Sequence, residues 1–348
     1  MSAGLIVIIA LLVLSILGIP IYLALGIGTL VALNMADMPF IVLPQKLFAG
    51  MNSSSLLAIP FFMLAGNIMS RSITGKLIDV SNALIGWIKG SLAVVTVLAC
   101  ALFGAISGSG LATASAVGGT TIPAMQEEKY PSYFAAAIAG IASILGPIIP
   151  PSITLIVYAS ITDLSVSKLF IGSVIPGILM ALGLIIYALF YGKKHDLPAH
   201  ERKTGREVLH IFKESIWALL MPVIILGGIF GGIFTPTESA AVAVVYALVI
   251  SLFVYKDMKW KDISGVFVEG AISTATILML VGISKSSSYV VTTSGLPQLV
   301  LEFFSSFTDS KIVILLLLNI LFLIIGMLME ANAAIIMMTP ILLPLLSA

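Results

Sequence analysis

Charge is scarce in this sequence. Of 348 residues only 9% are Asp, Glu, Lys or Arg, against 59% hydrophobic, and the mean hydropathy is +1.17. A soluble protein carries about a quarter of its residues as charges, so no water-facing surface can be built from this composition. The apolar excess faces a bilayer. A net charge of +1 supplies no basic face for nucleic acid, which is excluded as a partner. One cysteine, Cys100, rules out an internal disulfide and, inside an apolar run, reads as a small buried residue. Histidine is confined to His195, His200 and His210 in one polar stretch, which leaves no histidine metal site or proton relay at membrane depth. G-x-S-x-G, H-E-x-x-H and P-loop motifs are all missing, so nucleophilic hydrolysis, zinc chemistry and direct ATP use lack their usual parts. The chain is not expected to be an enzyme. No basic n-region or small-residue cleavage site precedes Gly18, and the first apolar run is expected to be retained as a span.

Apolar runs lie at 5–17, 21–36, 56–69, 91–105, 112–125, 133–159, 170–190, 216–234, 240–254, 266–283, 312–329 and 331–346. At 1.5 Å per residue a hydrocarbon core of ~30 Å needs about 20 residues, so the two short runs after Lys89 are read as a re-entrant hairpin, 91–125. Its turn is Ser107-Gly108-Ser109-Gly110. The polar stretch from Gly192 to Ser215 holds six of the seventeen basic residues, and Lys256, Lys259 and Lys261 form a second cluster. Both are read as cytoplasmic, because basic residues near span ends are retained inside. Tracing outward leaves thirteen basic residues inside and four outside, Lys46, Lys168, Lys285 and Lys311, with the N-terminus outside.

The same trace shows an internal repeat. Residues 1–191 carry two spans, a third at 56–69, an amphipathic piece, the hairpin 91–125, a broken helix 131–162 and a last span. After a cytoplasmic linker, 192–215, the order begins again in 216–348 and reaches a second hairpin, 312–348, with its tip at Glu330-Ala331-Asn332. Five crossings in the first unit make the second upside down relative to it, and inverted repeats with interrupted segments mark secondary transporters. The fold class is therefore an all-α polytopic membrane protein built of inverted repeats with re-entrant hairpins and broken helices.

Two stretches have the character of a site: GAISGSGLATASAVGGTTIPAM (104–125) and GPIIPPSIT (146–154). Pro147, Pro150 and Pro151 remove backbone donors and leave carbonyls without helical partners at membrane depth. Such carbonyls, with the hydroxyls of Ser107, Ser109 and Ser152, form an all-oxygen set suited to Na⁺ if the two breaks meet. The competing reading is a kinked packing helix in which Gly104 and Gly108 serve close approach. Thr113, Ser115, Thr120, Thr121 and Thr154, with Ser152, are candidate hydroxyl donors to a polar solute. Each can instead bond the carbonyl four residues before it. Glu238, in Thr235-Pro236-Thr237-Glu238, is either a helix cap or a functional carboxylate, and Glu330 is expected to be functional because an ionisable group at that depth is costly. Lys285 reads as a snorkelling cation. Two rivals to a Na⁺-coupled transporter stand at this point: a non-transporting scaffold using Gly227/Gly231 and Gly228/Gly232, and a proton-coupled carrier using Glu330 and Glu238.

The runs SLLAIPFFMLAGNIM (55–69), SGSGLATASAVGGTTIPAM (107–125), GPIIPPSITLIVYA (146–159) and GGIFTPTESAAVAVVYALV (231–249) resemble the large membrane subunit of tripartite ATP-independent periplasmic (TRAP) transporters. The resemblance implies a Na⁺-driven importer of a small organic anion, such as a C4-dicarboxylate, sialic acid or a related sugar acid, in a bacterial inner membrane. It also implies an elevator motion of a transport domain against a scaffold, with two partners: a small membrane subunit and a periplasmic solute-binding protein. Carried onto this sequence, the first Na⁺ site takes Ser107, Gly108 and Ser109 with Gly146, Ile149 and Pro150. The second takes Gly326, Glu330 and Asn332 together with a later broken helix. The sequence reaches Ala348 before such a helix, and Glu330 stands at or beside a position where the family more often has aspartate.

Overall fold

The computed structural model describes residues 2–199, 202–307 and 310–347; His200 and Ala348, named above, lie outside them. Among the described residues the secondary structure is helical, with no strand. Among the described residues four helices are long and apolar enough to cross a membrane: Val166–Lys194, Gly205–Phe230, Pro236–Val254 and Trp260–Thr293. A bent pair, Ser132–Ile148 with Ile153–Thr162, passes the same test as one span broken by 44°. This is the architecture of a polytopic membrane protein.

The chain divides into two compact units, each discontinuous in sequence. One unit comprises residues 1–56, 157–164 and 275–348. In it Ala3–Ile16 packs on Ile21–Met35, and Gly28 allows this because a Cβ there would lie 3.0 Å from Ala10 Cβ. Thr29 and Ser287 share a buried hydrogen bond of 2.7 Å between their hydroxyls, and Ser286 donates to the Leu43 carbonyl at 2.8 Å. Polar side chains buried in an apolar bundle require such partners. Lys285 packs its stem against Gly50, where a Cβ would come within 2.7 Å of Lys285 Cβ. The helix Leu296–Phe307 packs against Ala331–Ser347.

The other unit comprises residues 57–156 and 165–274, and it contains the hairpin. Its centre is Ser91–Ser107, of which 14 of 17 residues are buried. That helix is enclosed by other parts of the chain on nearly every side. Around it stand Thr74–Ile85, Ser132–Ser143, Leu145–Ile148 and Val166–Lys194. Cys100 is fully buried on the same helix, as its apolar setting predicts.

Helices extend beyond the apolar runs. The stretch expected as a linker from 192 to 215 contains the end of Val166–Lys194 and the start of Gly205–Phe230, which a Thr204/Glu207 capping box opens. The run 266–283 is the middle of a helix from Trp260 to Thr293. Lys, Glu and Arg are good helix formers, so a hydropathy boundary marks the edge of the lipid and not the end of the helix.

Candidate functional site

The hairpin turns where the sequence places serine and glycine. Ser91–Ser107 ends at Gly108 in the left-handed region (φ +62°), Ser109 is extended, and the chain returns through Gly110–Thr113, a π-helical turn Ala114–Gly118 and Gly119–Glu127. A left-handed residue costs an L side chain roughly 1–2 kcal/mol, so glycine suits this corner. Ser109 caps the returning arm by accepting from the Ala112 N–H at 3.3 Å. Ser107 is 1% exposed; its Oγ lies 3.3 Å from Thr113 Oγ1 and 3.5 Å from the Ser109 carbonyl.

The broken helix supplies the other half. Leu145–Ile148 ends at Ile149, whose backbone is extended, and the helix resumes at Ile153. Pro150 and Pro151 have no N–H, so the carbonyls of Gly146 and Pro147 lose their helical donors four residues on. Ser152 replaces one donor: its Oγ donates to the Pro147 carbonyl at 2.5 Å and accepts from the Leu155 N–H at 3.2 Å. Both halves lie in one unit, and they meet. The Ile153 N–H donates to the Gly108 carbonyl at 3.2 Å. A Cβ on Gly108 would lie 2.6 Å from the Pro151 carbonyl oxygen, and one on Gly146 would lie 2.8 Å from both the Ser109 carbonyl oxygen and Thr113 Oγ1. Gly104 touches Gly146 in the same way, 2.7 Å from Cβ to Cα. The small residues therefore serve close approach, and what they bring close is a set of oxygens.

Ser107, Gly108, Ser109, Gly146, Ile149, Pro150 and Ser152 thus sit around one junction. Thr113, read from sequence as a solute donor, also belongs to it; its hydroxyl donates to the Ser109 carbonyl at 2.7 Å. Thr154 is buried on the far side of the break, while Ser115 is exposed and away from the turn. Thr120 and Thr121 donate to the carbonyls of Ala116 and Val117 four residues back. The sequence reading missed Gly66, whose Cβ position is 3.0 Å from Ser107 Cβ, and Gly177, whose Cβ position is 2.8 Å from Ile149 Cγ1. Both let neighbouring helices lie directly on the junction. It also missed the π-helical turn after the hairpin corner, a distortion that recurs at functional sites. Among the described residues no three His, Cys, Asp or Glu side chains gather to hold a metal. The junction offers hydroxyls and carbonyls, the donors an alkali ion takes.

At the second tip Glu330 folds back on the helix that follows it. Its carboxylate accepts from the Asn332 N–H at 3.0 Å, the Ala333 N–H at 3.4 Å and Asn332 Nδ2 at 2.7 Å. This is a helix cap. Gly326 lies a turn earlier in Lys311–Leu328, exposed, and no described hydrogen bond joins it to the other two. Asn332 Oδ1 is buried without a partner. Glu238 is a cap as well: it closes a capping box with Thr235, accepting from the Thr235 N–H at 2.8 Å. Of the glycine pairs read as scaffold contacts, Gly227 and Gly232 have nothing near their Cβ positions, and Gly231 faces only its own helix and Ile233.

Comparison with known proteins adds an independent line. The family model described as "Tripartite ATP-independent periplasmic transporter, DctM component" matches residues 8–348. YgiK of Salmonella typhimurium is 40% identical over 94% of this chain and 76% of its own length. The C4-dicarboxylate TRAP transporter large permease protein DctM of Pseudomonas aeruginosa is 42% identical over 86% of this chain and 70% of its own. The isethionate TRAP transporter permease protein DctMQ of Oleidesulfovibrio alaskensis is 39% identical over 95% of this chain, which spans 52% of that longer protein.

Proposed function

Because the chain belongs to the DctM component family of tripartite ATP-independent periplasmic transporters, we propose that it is the large permease subunit of a Na⁺-coupled importer of a small organic acid. The substrate class is suggested by relatives named for C4-dicarboxylate and isethionate. The observation that supports the coupling is the meeting of the Ser107–Ser109 turn with the Gly146–Pro151 break, joined by the Ile153 to Gly108 hydrogen bond. The hydroxyls of Ser107 and Thr113 and the carbonyl of Ser109 converge there against Gly146, with Ser107, Thr113 and Gly146 buried. A Na⁺ held among them offsets dipoles that hydrocarbon cannot solvate, and it presents positive charge to a carboxylated solute. Solute and ion then load cooperatively, because the binding free energy of each depends on the other.

In this reading 1–191 and 216–348 are inverted repeats joined by 192–215, and the hairpin units slide against a scaffold. Its partners are a small membrane subunit and a periplasmic binding protein; the DctMQ name hints at the first. The location is the bacterial inner membrane. The second tip, Gly326 to Asn332, supplies part of a second Na⁺ site. A proton-coupled carrier is the weaker reading, because Glu238 and Glu330 both serve as helix caps.

The test is uptake by proteoliposomes holding the chain with its partner subunits, using labelled C4-dicarboxylates, sulfonates and sugar acids under an imposed Na⁺ gradient. Accumulation is expected with Na⁺ outside and no nucleotide. Accumulation that persists with choline in place of Na⁺ would overturn the coupling.

A further inference from the structure

The helix Val166–Lys194 has 29 residues, about 43 Å, which exceeds the ~30 Å hydrocarbon core by about two turns. Only 17% of its apolar window is buried, so most of it faces outward. Its last turns combine exposed aromatic and basic side chains: Tyr187 is 53% and Phe190 66% exposed, with Lys193 and Lys194 following. This end is a built structure. The Phe134 and Tyr191 rings stack 3.7 Å apart at 5°, the hydroxyls of Tyr133 and Tyr191 are 3.2 Å apart, and the Arg202 guanidinium lies 5.1 Å from the Trp87 ring centre. Gly90 and Gly192 touch, a Cβ on Gly90 lying 2.6 Å from Gly192 Cα. Asp196 is taken up by Lys89, which leaves Lys193 and Lys194 without an ion pair among the described residues.

Aromatic rings seat at the boundary between acyl chains and headgroups, and basic side chains beside them attract acidic headgroups. We propose that this end of Val166–Lys194 is a binding surface for anionic phospholipid headgroups, with Lys193 and Lys194 facing the phosphate and Tyr187, Phe190 and Trp87 seated beneath it. The consequence reaches the junction, because the same helix lies on Ile149 through Gly177. A lipid that fixes the helix end braces the wall of the helix break.

Detergent-purified full-length protein is titrated with a fluorescent short-chain phosphatidylglycerol, and displacement by unlabelled phosphatidylglycerol, phosphatidylcholine and a polyglutamate peptide is measured. Phosphatidylglycerol is expected to displace the probe far better than the other two. Lys193→Gln is expected to weaken binding about fivefold and Lys193→Gln with Lys194→Gln about thirtyfold, following the usual contribution of one basic residue near an acidic surface. The double arginine variant, which keeps the charge, is expected to bind as the native protein does. Equal displacement by phosphatidylcholine, or undiminished binding by the double glutamine variant, would overturn the proposal. Displacement by polyglutamate as effective as by lipid would overturn it too, and would give the patch to an acidic protein partner.

Discussion

The backbone N–H of Ile153 donates to the carbonyl of Gly108 across 3.2 Å, 45 residues apart in sequence, and so ties the corner of the hairpin to the resumption of the broken helix. A helix that restarts after two prolines has orphan N–H groups, and a hairpin corner has orphan carbonyls. Each break meets part of the other's need. Pro150 and Pro151, having no N–H, cannot act as the helical donors to the carbonyls of Gly146 and Pro147, and Ser152 serves Pro147 instead.

Gly108→Ala is expected to abolish Na⁺-dependent uptake. The alanine Cβ would sit 2.6 Å from the Pro151 carbonyl oxygen at a φ of +62°, so the corner and the break must part. The thermal midpoint should fall in parallel, since the left-handed conformation alone costs roughly 1–2 kcal/mol. Native uptake by this variant would refute the close approach.

Thr113→Val keeps the shape of the side chain and deletes its hydroxyl. The prediction is normal insertion and a Na⁺ affinity lowered on the order of tenfold, as the loss of one hydroxyl worth about 1 kcal/mol or slightly more implies. Titrating Na⁺ against the thermal midpoint measures this. A native titration curve would remove Thr113 from the ion's neighbours.

Ser152→Ala leaves the Pro147 carbonyl without its 2.5 Å donor. A buried acceptor stripped of its partner costs about 1–3 kcal/mol, so the variant should melt earlier with or without Na⁺. Ser152→Thr, which restores the hydroxyl, should recover most of the loss.

Glu238→Gln tests the proton-coupled alternative. A cap residue costs about 1 kcal/mol when its hydrogen bonds are lost, and glutamine retains the acceptor. Uptake and its pH profile are expected to stay unchanged. A profile that flattens in this variant would instead assign Glu238 to proton movement.

Asp196 lies beyond the end of its helix, and its carboxyl is held below the ordinary aspartate value by a hydrogen bond from Lys89 and by that ammonium's charge. A lowered folded pKa gives stability that is present above the unfolded value of about 3.9 and disappears as pH falls through the folded one. Full exposure keeps the effect small. Midpoints measured from neutral pH downward should drop slightly less steeply for Asp196→Asn than for the native protein; identical curves would show the pair to be energetically silent.

Much of the candidate site was legible because its chemistry is carried by residue type. Proline at 147, 150 and 151 cannot donate, wherever the chain goes, and Gly108 among serines announces a corner. The contact of Thr113 with Ser107 is not legible in the sequence, because one helical turn after a corner of unknown geometry has no fixed direction. The glycines at 66 and 177 carried no local signal at all: nothing in their own segments says which helix will lie against them. Helix ends were also hidden, since Gly205 to Ser215 is polar yet helical, and hydropathy reports solvent rather than hydrogen bonding.

Composition alone determined that this chain lives in a bilayer, since 9% charge cannot coat a soluble surface. The order of amino acids determined where helices must fail, since proline and glycine act on their own backbone. Only the tertiary structure decided that two failures 45 residues apart face each other, and that Glu238 and Glu330 are spent on capping. Those outcomes depend on packing between segments distant in sequence, where the approach of two backbones is set by every side chain that does or does not stand between them.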